Sequence, residues 1–258
     1  LYLGKNTMAR NWTRDELILA MSLYCRLPFG KFHQRNSEVI QLAECIGRSS
    51  SSVAMKLSNL ASLDPYHQQR GVKGLSSASN ADRSIWQEFH SDWEGLANES
   101  QRLEQEMNLQ QDEPVEKRPQ FEGETESTRV TKVRRAQRFF RSTVMASYEE
   151  RCCVTGIQNK ELLIASHIIP WSDDPTKRAD PHNGLCLNAL HDKAFDRGLI
   201  TLDEKFRLIY SQQLRESYSV EAMSRFFKPH EGQPIQFPTR FRPDQECLQR
   251  HREHIFLT

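Results

Sequence analysis

The stretch from Ala165 to Gly198 constrains the fold of this chain most, because polar residues stand at the ends of its apolar segments. It reads ASHIIPW, then a polar loop, then NGLCLNALHDKAFDRG. The apolar run that leads to His167 predicts a strand over 162–168, and a second run predicts a short strand over 184–187. A strand, a loop, a second strand and a helix are therefore expected in this order, with chemically active side chains where they meet.

A helix is expected directly after the second strand. Asn188 is a suitable N-cap, and Gly198 is a suitable residue just beyond the helix end. Asp192 and Asp196 are four residues apart, so they share one helix face and could bind one cation, while His191 lies about 100° round the helix from Asp192. Basic residues beside the two aspartates leave a second interpretation open, in which both carboxylates form ordinary surface ion pairs.

Two polar residues outside the helix complete the candidate site. His167, near the end of the first strand, could take a proton from water, because the ordinary pKa of an imidazole is ~6.5. By itself such a histidine is also consistent with a structural role in the core. Asn183 precedes the second strand, and an asparagine at a loop end often hydrogen-bonds to the backbone of its own loop. We therefore expect Asn183 to orient the loop that carries His167.

Together these segments resemble the HNH endonuclease family, whose core is the ββα-metal fold. The resemblance covers roughly residues 134–210 and includes Q-x-x-F-R upstream, the C-V-T-G turn, A-S-H-I-I-P-W, N-G-L-C-L and H-D-K-A-F-D-R-G-L-I. It implies that His167 is the general base, that Asn183 is the central asparagine and that His191 takes the last catalytic position. It also implies a divalent metal ion as cofactor. Carboxylate ligands favour Mg²⁺ or Mn²⁺, while an imidazole ligand would also admit Ni²⁺ or Zn²⁺.

The resemblance does not fix the metal ligands. Many family members have an aspartate or another ligand immediately before the first histidine, where this chain has Ser166. Family members often place the helix ligand nine residues after the asparagine; that position is Asp192, and His191 stands one residue earlier. The candidate ligands are therefore Ser166, His191, Asp192 and Asp196, with water and a substrate phosphate completing the coordination.

A basic helix is expected before the candidate site. From Thr128 onward, apolar residues recur at helical spacing, and Arg134, Arg138 and Arg141 form an adjacent basic face. Such a face is often only solvated, but beside a nuclease core it could contact the phosphate backbone of DNA.

The first part of the chain predicts three short helices. Thr13 with Glu16 three residues later fits a capping box, and further helices are expected over 37–46 and 52–60. The pattern W-T-x-x-E, with G-R-S before the third helix, resembles trihelical DNA-binding domains of the Myb/SANT type; a plain helical interaction domain is the alternative. If this unit binds DNA, the candidate contacts are Arg48, Ser50, Ser51, Ser52, Lys56 and Asn59.

Composition and length set limits on the class of protein. The chain of 258 residues has a formal net charge of +1 and six dispersed cysteines, so neither a disulfide framework nor a zinc knuckle is expected. No apolar run reaches ~18 residues and no secretory signal is evident, so we expect a cytoplasmic protein without a membrane span. The predicted organisation is a helical domain over 8–65, a helical segment with an acidic linker over 66–127, and a nuclease domain with a C-terminal extension over 128–258.

We therefore expect an α+β protein in which an N-terminal three-helix, helix-turn-helix-like domain precedes a ββα-metal HNH nuclease domain with flanking helices and a β-hairpin over 199–209. Its expected activity is metal-dependent hydrolysis of phosphodiester bonds in double-stranded DNA, in bacterial restriction or defence against foreign DNA. A homodimer is expected if both strands are cut together. Two alternatives stay open: a non-catalytic DNA-binding regulator on a decayed nuclease core, and a homing-type nuclease of a mobile element.

Overall fold

The computed structural model describes residues 10–69, 78–107, 109 and 124–258, except for the side chains of 124–129. The chain divides into two compact units, one ending at Ala136 and the other beginning at Gln137. The division lies inside one helix. No helix within the described ranges is both long enough and apolar enough to cross a membrane.

The N-terminal unit is helical throughout its described parts. The capping box predicted at Thr13 is confirmed, because Glu16 N donates to the Thr13 hydroxyl at 3.3 Å and Thr13 N donates to the Glu16 carboxylate at 2.9 Å. The second helix is capped by Asn36, and the third begins earlier than predicted, after the N-cap Ser49. The helices are α1 (Arg14–Arg26), α2 (Ser37–Cys45), α3 (Ser50–Leu63), α4 (Pro65–Gln69), α5 (Asn80–Ser91), α6 (Trp93–Glu106) and the start of α7 (Glu124–Ser147).

Helix α1 is the centre of this unit. Every residue from Glu16 to Cys25 is buried, as expected for a helix that is covered on all sides. Helices α2 and α3 pack on it, and so do α5 and α6. The segment that follows the three predicted helices therefore belongs to the same core, to which it contributes Trp86, Phe89 and Trp93.

The acidic run after Ser100, predicted to be a linker, is divided by the structure. Residues 101–106 form the last turns of α6, and Leu103 is buried. Residues 110–123 lie outside the described residues. The last residues of the run begin helix α7.

The C-terminal unit combines helices with two small antiparallel sheets, so the predicted α+β class is confirmed. Strand β1 pairs with β2, with Leu163 opposite Asn188 and His167 opposite Gly184. Strand β3 pairs with β4 in the predicted hairpin. After α7 the elements are β1 (Leu163–His167), β2 (Gly184–Asn188), α8 (Ala189–Asp196), β3 (Ile200–Leu202), β4 (Leu208–Tyr210), α9 (Gln212–Glu216), α10 (Glu221–Phe227) and α11 (Gln245–His254).

The C-terminal half of α7 lies directly against the start of β2. Gly184 permits this close approach, because a Cβ atom added there would lie 2.4 Å from Val144 Cγ2 and 3.1 Å from Phe140 Cζ. Both of these α7 side chains are almost completely buried. The missing side chain at Gly184 therefore sets how closely the helix packs on the strand that faces His167.

Gly184→Ala is expected to destabilise the C-terminal unit by about 1–3 kcal/mol, because the added methyl group overpacks a filled core. Val144→Ala removes the nearest clashing atom, so the double variant should lose less stability than the sum of the single losses, by roughly 0.5 kcal/mol or more. Urea unfolding of the three variants followed by circular dichroism measures both quantities. Strictly additive losses would show that Gly184 is not required for this contact.

Candidate active site

Strand β1, the loop 168–183, strand β2 and helix α8 form one continuous frame. His167 is the last residue of β1, and the loop returns the chain so that β2 begins opposite it. Helix α8 begins directly after β2, with Asn188 as its N-cap as predicted; the Asn188 side chain accepts from the backbone N–H groups of Leu190 and His191 at 3.1 Å. The register of one hairpin thus fixes both the histidine and the start of the helix.

The His167 ring is held on three sides. It stacks on Phe140 of α7 with ring centroids 3.7 Å apart, and Trp171 meets it edge-on at 5.5 Å. Its Nε2 atom lies 2.9 Å from the backbone carbonyl of Arg178. Because a carbonyl can only accept, Nε2 carries the proton and donates it.

This hydrogen bond defines the protonation state that the site offers. With the proton on Nε2, the neutral ring presents Nδ1 as a proton acceptor, and Nδ1 has no hydrogen-bond partner among the described residues. Burial lowers the pKa of His167 below its ordinary value of 6.5, an effect only partly offset by the bond to Arg178. The ring is therefore neutral at pH 7 and competent to accept a proton.

Asn183 fastens the loop to the end of strand β1. Its side chain is fully buried; Oδ1 accepts from Ile169 N at 2.8 Å, and Nδ2 donates to the carbonyls of Ile169 and Lys177 at 3.1 Å. Its own carbonyl accepts from Ile168 N. Since Lys177 immediately precedes Arg178, these bonds place the carbonyl that orients His167. The structure thus places Asn183 as the sequence predicted, in contact with backbone atoms of the loop.

Ion pairs stabilise the same loop from outside. Asp174 pairs with Arg250 of α11 at 3.0 Å. Asp180 accepts from Lys177 at 3.0 Å and from His182 at 2.9 Å, and these partners hold the pKa of its carboxyl below the usual value despite its burial. Both carboxylates are therefore neutralised within the described structure.

The pKa values of the two predicted carboxylates of α8 are both raised. Burial raises the pKa of Asp192 first of all, and the charge of Asp196 raises it further, while the Ser166 hydroxyl lowers it. Burial also raises the pKa of Asp196, against the opposing charges of Lys193 and Arg197. The Ser166 hydroxyl is buried and, apart from its approach to Asp192, makes no hydrogen bond of normal geometry with the described residues. Ser166 and Asp196 thus both affect the pKa of Asp192.

His191 lies in different surroundings from Asp192. Its ring is buried and contacts Phe227 at 4.9 Å and His230 at 5.9 Å between centroids, and its Nδ1 bonds to Asn188 at 3.1 Å. Burial, with a contribution from His230, lowers the pKa of His191 to about 4. The Ser166 hydroxyl affects the pKa of Asp192, whereas the groups in contact with the His191 ring are Phe227, His230 and Asn188.

The oxygen donors suit a hard divalent cation, although they form only part of a coordination shell. Two carboxylates and a hydroxyl match the ligands that Mg²⁺ and Mn²⁺ accept, and Mg²⁺ sites usually retain several waters. Within the ranges that the structure describes, no group of three or more His, Cys, Asp or Glu side chains is arranged to hold a metal ion. Any such ion would therefore need water or substrate oxygens as further ligands.

Several predicted DNA contacts have other roles in the structure. Lys56 is buried and pairs with the fully buried Asp82 at 2.6 Å; Arg48 pairs with Glu16 at 2.8 Å, with little exposure of either side chain. Both cations also lie over the Trp12 ring. These two predicted contacts are corrected: their charges are used inside the N-terminal unit, and they are not presented to a phosphate.

The other predicted contacts differ in exposure. Asn59 is buried as well, whereas Ser51 is exposed and Ser50 and Ser52 are half-buried. On α7, Arg141 donates to the Leu163 carbonyl at 3.2 Å, so it helps to hold β1. Arg134 is exposed and Arg138 is half-buried.

A comparison with family models concerns the segment that contains β1, β2 and α8. A hairpin with a histidine at the end of its first strand, followed by a helix that carries carboxylates, is the arrangement expected of the ββα-metal class of nucleases. Residues 152–203, from the turn before β1 to the end of β3, match the HNH endonuclease family. This match confirms the predicted resemblance of this segment to the HNH endonuclease family. None of the curated proteins compared with the chain matches it.

Two contributors to the site, Arg178 and Trp171, are not predictable from the sequence pattern. Arg178 acts through its backbone carbonyl, which any residue type possesses, so no side-chain pattern could identify it. Trp171 stands next to Pro170 in the expected strand exit, but its edge-on contact with His167 depends on the course of the loop. Their spacing after His167 indicates only that they lie in the same loop.

NMR titration of the His167 imidazole should give a pKa below 6.5 and the Nε2–H tautomer at neutral pH, because the ring is buried and donates to a carbonyl. The ¹⁵N shifts of the two ring nitrogens report the tautomer, and His167→Gln assigns the signals. An Nδ1–H tautomer, or a pKa above 6.5, would contradict this geometry.

Proposed function

We propose that this protein is a metal-dependent endonuclease that hydrolyses phosphodiester bonds in double-stranded DNA. The observation that carries the proposal is the state of His167: a neutral ring whose Nε2–H is committed to the Arg178 carbonyl and whose Nδ1 is available as a base. The HNH endonuclease match over 152–203 supports the same class of reaction.

His167 acts as the general base in this proposal. Its Nδ1 accepts a proton from the water that attacks phosphorus, while the bond from Nε2–H to the Arg178 carbonyl stabilises the imidazolium that forms. Asn183 keeps that carbonyl in place and has no direct chemical role. Phe140 prevents the ring from turning, because it stacks on the ring at 3.7 Å.

Asp192 and Asp196, with the Ser166 hydroxyl, are the residues that would hold a divalent cation, Mg²⁺ or Mn²⁺ before Ni²⁺ or Zn²⁺. Burial raises the pKa of both carboxylates, and the charge of Asp196 raises that of Asp192 further. A shared cation would therefore stabilise their ionised forms. Such a cation would stabilise negative charge on the phosphoryl and leaving oxygens. His191, buried against Phe227, then contributes to packing rather than to coordination.

The biological role that we propose is bacterial restriction or defence in the cytoplasm. It is supported by the order of a compact helical unit followed by a nuclease unit in one chain. Helices α2 and α3 follow each other with a short turn at Gly47, as in helix-turn-helix units. One site per chain would favour a homodimer for cutting both strands. A homing-type nuclease would share the chemistry.

Supercoiled plasmid incubated with the protein and Mg²⁺, Mn²⁺ or Ni²⁺ should be cut, and EDTA should stop the reaction. His167→Ala should lower the cleavage rate by about 10²-fold or more, the usual contribution of a general base. His254→Ala, which removes an exposed histidine of α11, is the matched control and should cleave normally. If the wild type binds DNA but cuts with none of these ions, the protein is a non-catalytic DNA-binding protein and the proposal is wrong.

Asp192→Asn should weaken Mn²⁺ binding and remove metal-dependent cleavage, because Asp192 is the carboxylate whose pKa the Ser166 hydroxyl affects. His191→Gln should keep Mn²⁺ affinity within a few fold, although loss of a buried ring will reduce stability. Electron paramagnetic resonance measures free Mn²⁺, circular dichroism checks folding, and Glu204→Gln, in the exposed β3–β4 turn, is the carboxylate control. Normal binding by Asp192→Asn with lost binding by folded His191→Gln would make His191 the ligand.

A further inference from the structure

Arg178 contributes a fixed guanidinium to the loop that follows the candidate base. Its Nε donates to the Trp171 carbonyl at 2.9 Å, and the guanidinium lies over the Trp171 ring, 5.3 Å from the centroid. That ring lies nearly perpendicular to the His167 ring, with centroids 5.5 Å apart, and the backbone carbonyl of Arg178 accepts from His167 Nε2. Two contacts, one through Trp171 and one through the Arg178 backbone, therefore connect the Arg178 guanidinium to His167.

The charge of Arg178 has no acidic partner among the described residues. The nearby carboxylates of the loop are engaged elsewhere: Asp174 with Arg250, and Asp180 with Lys177 and His182. Asp173 accepts from the Ser172 hydroxyl. Nε is the only side-chain nitrogen of Arg178 with a hydrogen bond in the described structure, so its two terminal nitrogens remain available.

A half-buried arginine in this state is suited to bind an anion with two oxygens. The Nε bond and the aromatic ring fix the plane of the guanidinium, so little side-chain freedom is lost when it binds. Its two terminal N–H groups match the non-bridging oxygens of a phosphodiester. Other arginines of this unit lack this combination: Arg141 donates to the Leu163 carbonyl, and Arg250 pairs with Asp174.

We propose that Arg178 binds a phosphodiester group of the cleaved DNA strand at the His167 site, and that Trp171 serves as the platform that orients it. This inference rests on the proposed nuclease function for the identity of the substrate. It assigns to Arg178 two roles: it contributes to DNA affinity, and it stabilises the negative charge that grows on phosphate oxygens as water attacks.

The test uses the full-length protein and a labelled DNA duplex. In EDTA, Arg178→Ala should weaken binding about tenfold or more, and the slope of log affinity against log salt should fall by about 1. Arg178→Lys should restore part of the affinity, because lysine keeps the positive charge but lacks the paired N–H donors of the guanidinium. Arg225→Ala, which removes an exposed arginine paired with Glu221 on α10, is the matched control and should bind normally.

Single-turnover cleavage at saturating protein gives the second readout, and Arg178→Ala should slow it by about tenfold or more. The His167 tautomer and pKa, followed by NMR, should stay as in the wild type, because the orienting group is a backbone carbonyl. Unchanged affinity and rate, or an altered His167 tautomer, would overturn the phosphate contact. A wild type that never cuts DNA would refute the nuclease function but not the binding result, so the two failures are distinguishable.

Discussion

The buried side-chain amide of Asn183 is the interaction on which the site depends. It bonds to both backbone groups of Ile169 and to the carbonyl of Lys177, so it closes the loop onto the end of β1. Leaving such an amide unpaired in the interior would cost about 1–3 kcal/mol, which favours the one loop path that satisfies it. That path sets the Arg178 carbonyl against His167 and lets the Arg178 guanidinium donate to the Trp171 carbonyl.

Packing from outside the hairpin completes the orientation of the base. Gly184 stands opposite His167 and leaves room for helix α7 to approach β2. The approach brings Phe140 onto the His167 ring. Burial of that ring has a chemical consequence, because it lowers the histidine pKa and keeps the ring neutral at pH 7. Core packing and the acid–base state of the candidate site are therefore produced by the same contacts.

Local sequence signals predict the structure where the interacting atoms belong to a single element. The Thr13 capping box and the Asn188 N-cap involve atoms within one helical turn, so their residue types suffice to predict them. Contacts between elements were predicted less well. Lys56 carries a charge that suggests a surface position, yet the structure pairs it with buried Asp82 of a helix whose packing on α1 and α3 was not foreseen. Residue type alone does not reveal which partner neutralises a charge.

The amino-acid sequence is sufficient to predict the order of strand, loop, strand and helix, the histidine and asparagine of the HNH pattern, and the α+β class. Periodicity and capping depend on residues close together in the sequence, and so does the fixed spacing of a motif, so residue types suffice to predict them. The surroundings of Asp192 and His191 depend on tertiary structure: the Ser166 hydroxyl affects the pKa of Asp192, while the His191 ring is buried against Phe227, and these contacts join residues of different elements. Tertiary structure also decided which nitrogen of His167 carries the proton, since that depends on a carbonyl eleven residues away that no side-chain pattern encodes.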